Sequence, residues 1–70
     1  MNALVALQMM DTTRQNAEDT ACRGKLCEHM VGYYNGILDT YALIAGTAAG
    51  FERAANLRAE IRDLAAAVKA

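Results

Sequence analysis

Residues 51–64 read FERAANLRAEIRDL, and the run continues as AAAVKA to residue 70. Within it Ala54, Leu57, Ile61, Leu64 and Val68 recur at steps of three, four, three and four. On a helix that spacing lines five apolar side chains along one stripe. Arg53, Asn56, Glu60 and Asp63 fall on the opposite side, and Arg58, Arg62 and Lys69 flank the stripe. Ala, Leu, Arg and Glu are strong helix formers, and neither Pro nor Gly interrupts the run. A stripe this regular is buried against another helix, in the same chain or on a partner. The stretch therefore predicts an all-α, soluble interaction protein whose last helix spans about 51–69.

Working outward, Gly46-Thr47-Ala48-Ala49-Gly50 reads as a flexible turn before that helix. A second helix is expected over about 26–45. Leu26, Met30, Tyr33, Ile37 and Ile44 form one apolar row, and Cys27, Val31, Tyr34, Leu38, Tyr41 and Ala45 form the next. Glu28, Gly32, Asn35 and Asp39 are left as a narrow polar strip. A helix so widely apolar belongs between two others, so it is expected to be the central one. Before it, Arg23 and Gly24 supply a C-terminal stop for a first helix over about 3–22, with Asn2 as its N-cap. Leu4, Leu7, Met10, Arg14, Ala17 and Ala21 keep helical spacing there, with Arg14 as the flaw. Thr12-Thr13-Arg14-Gln15 resembles a capping box, which raises a break near Asp11 as an alternative to one continuous helix.

Seventy residues make one small domain, spanning 1–70, with a marginal core. Two cysteines, Cys22 and Cys27, are too close to staple it, because a bridge between them closes only a tiny loop. Yet 54% of the residues are hydrophobic. Surplus apolar surface without staples points to a homodimeric helical bundle. The formal net charge of -1 offers no strong field for nucleic acid or anionic lipid. The start, MNALVALQMM, lacks the basic region and cleavage site of a signal peptide, and free thiols suggest a reducing cytoplasm. A chain beginning at Met1 without linker-like segments reads as a complete small protein, and its compact Ala- and Arg-rich composition suits a bacterial or phage origin.

A family resemblance is carried by Phe51, Glu52, Ala54, Ala55, Leu57, Arg58, Ile61 and Leu64. These positions resemble the second half of the UVR motif, a short helical hairpin found in the excision-repair proteins UvrB and UvrC and in some Clp-ATPase-associated proteins. The similarity is confined to residues 51–64. Where that motif has Arg-Asp, this chain has Arg58-Ala59, so one polar contact of the family is missing. The resemblance implies a hairpin that binds another copy of itself or a partner hairpin, and it implies no chemistry.

Site chemistry is hard to assemble from the remaining residues. Cys22, Cys27 and His29 straddle the stop at Gly24, and positions 27 and 29 diverge on a helix, so a four-ligand zinc site or a Cys-His catalytic pair is not expected. The thiols are expected in the core and His29 on the solvent side. There is no Ser in the chain, and Glu28 and Asp39 lie three turns apart, so neither an enzyme nor a cofactor is expected. Gly32 to Gly36 and Gly46 to Gly50 both keep GxxxG spacing; the first pair is expected to let a neighbouring helix pack close. The window from Met30 to Phe51 could span a bilayer but holds Asp39 at its middle, at a cost of about 2.5–3.5 kcal/mol.

The expected function is thus a non-catalytic protein–protein interaction protein, a small stoichiometric regulator, adaptor or inhibitor in the cytoplasm. Its expected partners are a second copy of itself and another protein. The surface expected to serve them comprises Tyr33, Tyr34 and Tyr41 on the second helix, with Phe51, Leu57, Arg58, Ile61, Arg62, Leu64 and Val68 on the third. The alternative is a small nucleic-acid-binding dimer using Arg58, Arg62 and Lys69 on phosphate; a membrane-associated helical protein ranks behind it.

Overall fold

The computed structural model describes residues 2–69. Three helices follow one another: α1 (Ala3–Cys22), α2 (Glu28–Ala45) and α3 (Ala48–Lys69), with no strand among the described residues. Their ends follow from local chemistry. Asn2 is extended and its Oδ1 accepts the Val5 amide at 2.9 Å, which satisfies one of the free donors at the start of α1. At the other end Gly24 takes a left-handed φ of 71°. There the Gly24 amide donates to Ala21 O at 2.9 Å and the Lys25 amide to Thr20 O at 3.0 Å, a Schellman closure.

α1 runs through Asp11 without a break. Thr12 and Thr13 do not cap anything: their hydroxyls donate back to Gln8 O at 3.2 Å and Met9 O at 2.8 Å, one turn earlier in the same helix. Two boundaries differ from the sequence expectation. α2 starts at Glu28 rather than 26, because Cys27 is extended at its N-cap and Leu26 folds from the connection into the core. α3 starts at Ala48 rather than 51. The expected five-residue turn shrinks to Gly46, left-handed at φ 64°, and Thr47, whose Oγ1 accepts the Gly50 amide at 3.0 Å.

The helices run up, down and up. Lys69 on Glu28 and Arg58 on Asp39 join α3 to α2 in antiparallel order, as expected for the hairpin. Arg53 on Asp11 and Arg14 on Glu60 join α1 to α3 in parallel order. Every pair of helices packs directly, so the bundle is a closed triangle and α2 is not its central member. The extents are 37 × 16 × 15 Å.

The core gathers Met10, Leu26, Tyr34, Leu38, Leu57 and Ile61 with six alanines. Small residues at so many core positions let the helices approach closely, and they also limit how much apolar area the core holds. On α1 the buried row is Ala6, Met10, Thr13 and Ala17. Leu4 points outward and Arg14 sits at the α3 edge, held by Glu18 at 2.9 Å and Glu60 at 3.3 Å. On the first half of α3 the stripe is as expected, with Ala54, Leu57 and Ile61 buried. Further along, Ala65 is buried, while Leu64 and Val68 are half-buried against Ala21 and Cys22 at the edge of α1.

Candidate interaction surface

The residues expected to meet partners separate into three groups. Leu57 and Ile61 are fully enclosed by the chain itself, and Tyr34 is buried with them. The Tyr34 phenol shares a hydrogen bond with Thr20 Oγ1 at 2.9 Å, and Asn16 O is within reach of both hydroxyls, at 2.9 Å from Thr20 and 3.5 Å from Tyr34. These three side chains hold the fold and are out of reach of a partner. Leu64, Val68 and Tyr41 are half-buried. Tyr33 and Phe51 are exposed, at 58% and 50%, and Arg62 is exposed on the rim of a groove between α2 and α3. Tyr33 stands edge-on to Tyr34, with ring centroids 5.5 Å apart, so its orientation is set by the core beneath it.

The charges expected at the edge of α3 are largely engaged. Arg58 is paired with Asp39, and Lys69 lies 3.4 Å from Glu28. Glu28 and Asp39, expected as part of a polar strip on α2, are exposed but reach toward α3 across the hairpin seam. Arg53 and Glu60, expected to point away, meet Asp11 and Arg14 of α1. Among the described residues all four ion pairs between helices use α3.

Two further expectations are corrected. Cys22 and Cys27 are exposed free thiols rather than core residues, because Leu26 fills the space beneath the turn instead. No helix of the same chain packs on Gly32 or Gly36: a Cβ at either position meets nothing within 4 Å. Gly50 is the glycine that permits a close approach, since a Cβ there would lie 3.0 Å from Ala45 Cβ.

Among the described residues the exposed large apolar side chains are Leu4, Val5, Tyr33, Leu43, Ile44 and Phe51. Five of the six lie at one end of the bundle, where α1 begins, α2 ends and α3 begins. Leu4, Val5, Leu43 and Ile44 were not among the expected interaction residues. Their signal is nevertheless visible: residues 2–10 and 40–51 contain no Asp, Glu, Lys, Arg or His. The opposite end exposes Arg23, Lys25, Glu28, His29 and Lys69. Between the ends, Tyr33, Gly36, Ile37, Thr40, Tyr41 and Ile44 line a groove of about 600 Å³ on the outer side of α2.

Among the described residues no group of three His, Cys, Asp or Glu gathers as a metal site, and no helix is long and apolar enough to cross a membrane. Comparison with protein-family models, curated proteins and solved structures returned no match.

Proposed function

We propose that this chain is a non-catalytic interaction protein, self-associating and packing helix surface against a protein partner as a stoichiometric regulator, adaptor or inhibitor. One observation carries the reading: about as many large apolar side chains are exposed as are fully buried. Exposed apolar area grouped in one region marks a surface that another molecule covers. The grouping of Leu4, Leu43, Ile44 and Phe51 on residues 2–10 and 40–51, two segments without charged side chains, supports that end as the protein-binding surface. The resemblance of residues 51–64 to the UVR hairpin supports the same class of function. A reducing cytoplasm suits two exposed free thiols.

The test pairs a mass measurement with capture. Light scattering on the wild type should give a mass above the 7.5 kDa monomer that falls toward it on dilution. A Leu4→Lys/Phe51→Lys variant should keep its helical circular dichroism, both side chains being exposed, and should lose proteins that the wild type captures from its source cell. An unchanged set of captured proteins with the variant folded would remove the apolar end from the function.

A further inference from the structure

We propose that a second copy of this chain covers the outward face of α2, with α2 packed on α2 across a two-fold axis near Gly36. The proposal rests on the self-association put forward above and names its surface. The first ground is charge. A two-fold interface sets each patch against itself, so a charged patch would repel its own image. The only Asp, Glu, Lys or Arg residues on α2 are Glu28 and Asp39, and both turn toward α3, to Lys69 and Arg58. The outward face, with Gly32, Tyr33, Gly36, Thr40, Leu43 and Ile44, carries no Asp, Glu, Lys or Arg, and His29 marks its end one turn before Tyr33.

The second ground is the pair of glycines. Glycine in the middle of a helix is destabilising relative to alanine. At Gly32 and Gly36 the monomer gains nothing in return, because the space where each Cβ would stand is open. A helix crossing there would use that space, since two glycine positions let backbones come close. An antiparallel crossing at Gly36 sets Gly32 of one copy against Thr40 of the other and covers Tyr33 and the groove beside it.

Area selects this arrangement over an end-to-end one. A standard interface takes about 800 Å² from each partner. The end of the bundle measures only 16 × 15 Å, whereas the side along α2 extends over the 37 Å length. Only the long side approaches the area required; Leu43 and Ile44 then belong to the α2 face, and Leu4, Val5 and Phe51 remain at the apolar end for a different protein.

The experiment compares Gly36→Leu with Ala55→Leu, the latter on the exposed side of α3, by sedimentation equilibrium and circular dichroism. The expected result is a dimer dissociation constant raised at least about tenfold for Gly36→Leu, with helicity kept, and wild-type dimerisation for Ala55→Leu. A second measurement covers the case in which the leucine perturbs α2. In a Cys22→Ala/Cys27→Ala background, Gly36→Cys should form a disulfide-linked dimer under mild oxidant, and Ala55→Cys should not. Wild-type dimerisation by Gly36→Leu, or equal crosslinking at both positions, overturns the α2 face while leaving self-association standing. A wild type that stays monomeric at every concentration overturns self-association itself.

Discussion

α2 and α3 run antiparallel along most of their lengths, yet their outer surfaces differ in kind. α3 carries Glu52, Arg53, Arg58, Glu60, Arg62, Asp63 and Lys69, and every ion pair between helices uses one of them. Its apolar stripe ends inside the bundle. α2 sends both of its carboxylates toward α3 and presents glycines, tyrosines and branched apolar side chains to solvent. Beyond Phe51 at its start, α3 is thus a helix whose apolar stripe and most of whose ion-pairing side chains find partners within one chain. α2 is only half used by the monomer. The lesson is that an apolar pattern does not by itself tell core from interface: Ile61 on α3 and Ile44 on α2 have the same chemistry, and one is 0% and the other 44% exposed.

The strongest way to break this contrast is to place a charge on each helix. Ile61→Asp buries a carboxylate among Met10, Leu38 and Leu57 with no designed partner, which should cost several kcal/mol, enough to unfold a small domain with roughly 5 kcal/mol to lose. Ile44→Asp on α2 should leave the helical circular dichroism of the dilute protein unchanged. If the two variants melt alike, the assignment of α3 as core and α2 as surface fails.

Glycine to alanine sharpens the contrast further, because one substitution should act with opposite signs. At Gly50 the new Cβ would stand 3.0 Å from Ala45 Cβ and 3.2 Å from Thr47 Oγ1, where α2 and α3 cross, so Gly50→Ala should destabilise by about 1–3 kcal/mol. At Gly36 the Cβ meets open space and alanine is the better helix former. Gly36→Ala should stabilise the dilute protein by about 0.5–1 kcal/mol. Urea titrations at low protein concentration read both. Equal signs would mean that the helices cross elsewhere than at Gly50.

Much of the fold was legible because its punctuation is chemical. Asn2, Gly24 and Gly46 act at helix ends through a side-chain acceptor or a left-handed φ, and residue type alone carries those signals. The stripe on α3 was legible for the same reason. What could not be read depends on neighbours. Thr47 caps α3 only because the chain turns at Gly46, so the stretch read as a five-residue loop is mostly helix. Arg14 breaks a stripe drawn on α1 alone, but the helix is rotated so that Arg14 reaches Glu60 and Thr13 enters the core. For the candidate surface, Tyr33 and Phe51 are accessible, whereas Tyr34, Leu57 and Ile61 are spent on the core. Helical periodicity names a face; the packing of the other two helices decides which part of it remains outside.

The smallest expected effects fall on the exposed arginines of α3, where the same difference can be checked by electrostatics at Arg58. Its pairing with Asp39 closes the seam between α2 and α3, but the side chains are 40% and 53% exposed. An exposed ion pair gains little, because water screens the attraction and two flexible side chains must be held in place; measured values run about 0.2–1 kcal/mol. Arg58→Ala should therefore lower stability by less than about 1 kcal/mol, and Asp39→Ala by a similar amount. The double variant should be no worse than either single one, since each single change already removes the pair. High salt should shrink the deficit, as the Debye length falls from about 8 Å at physiological ionic strength to about 3 Å at 1 M. Arg62→Ala, on an exposed side chain without an ion-pair partner among the described residues, should change stability by no more than about 0.5 kcal/mol at any salt concentration. Urea titrations of the four variants in low and high salt decide the point. A large, salt-insensitive loss at Arg58 alone would mean that the guanidinium is part of the core of the seam, and that α3 is completed by buried polar contacts rather than by a rim of exposed pairs.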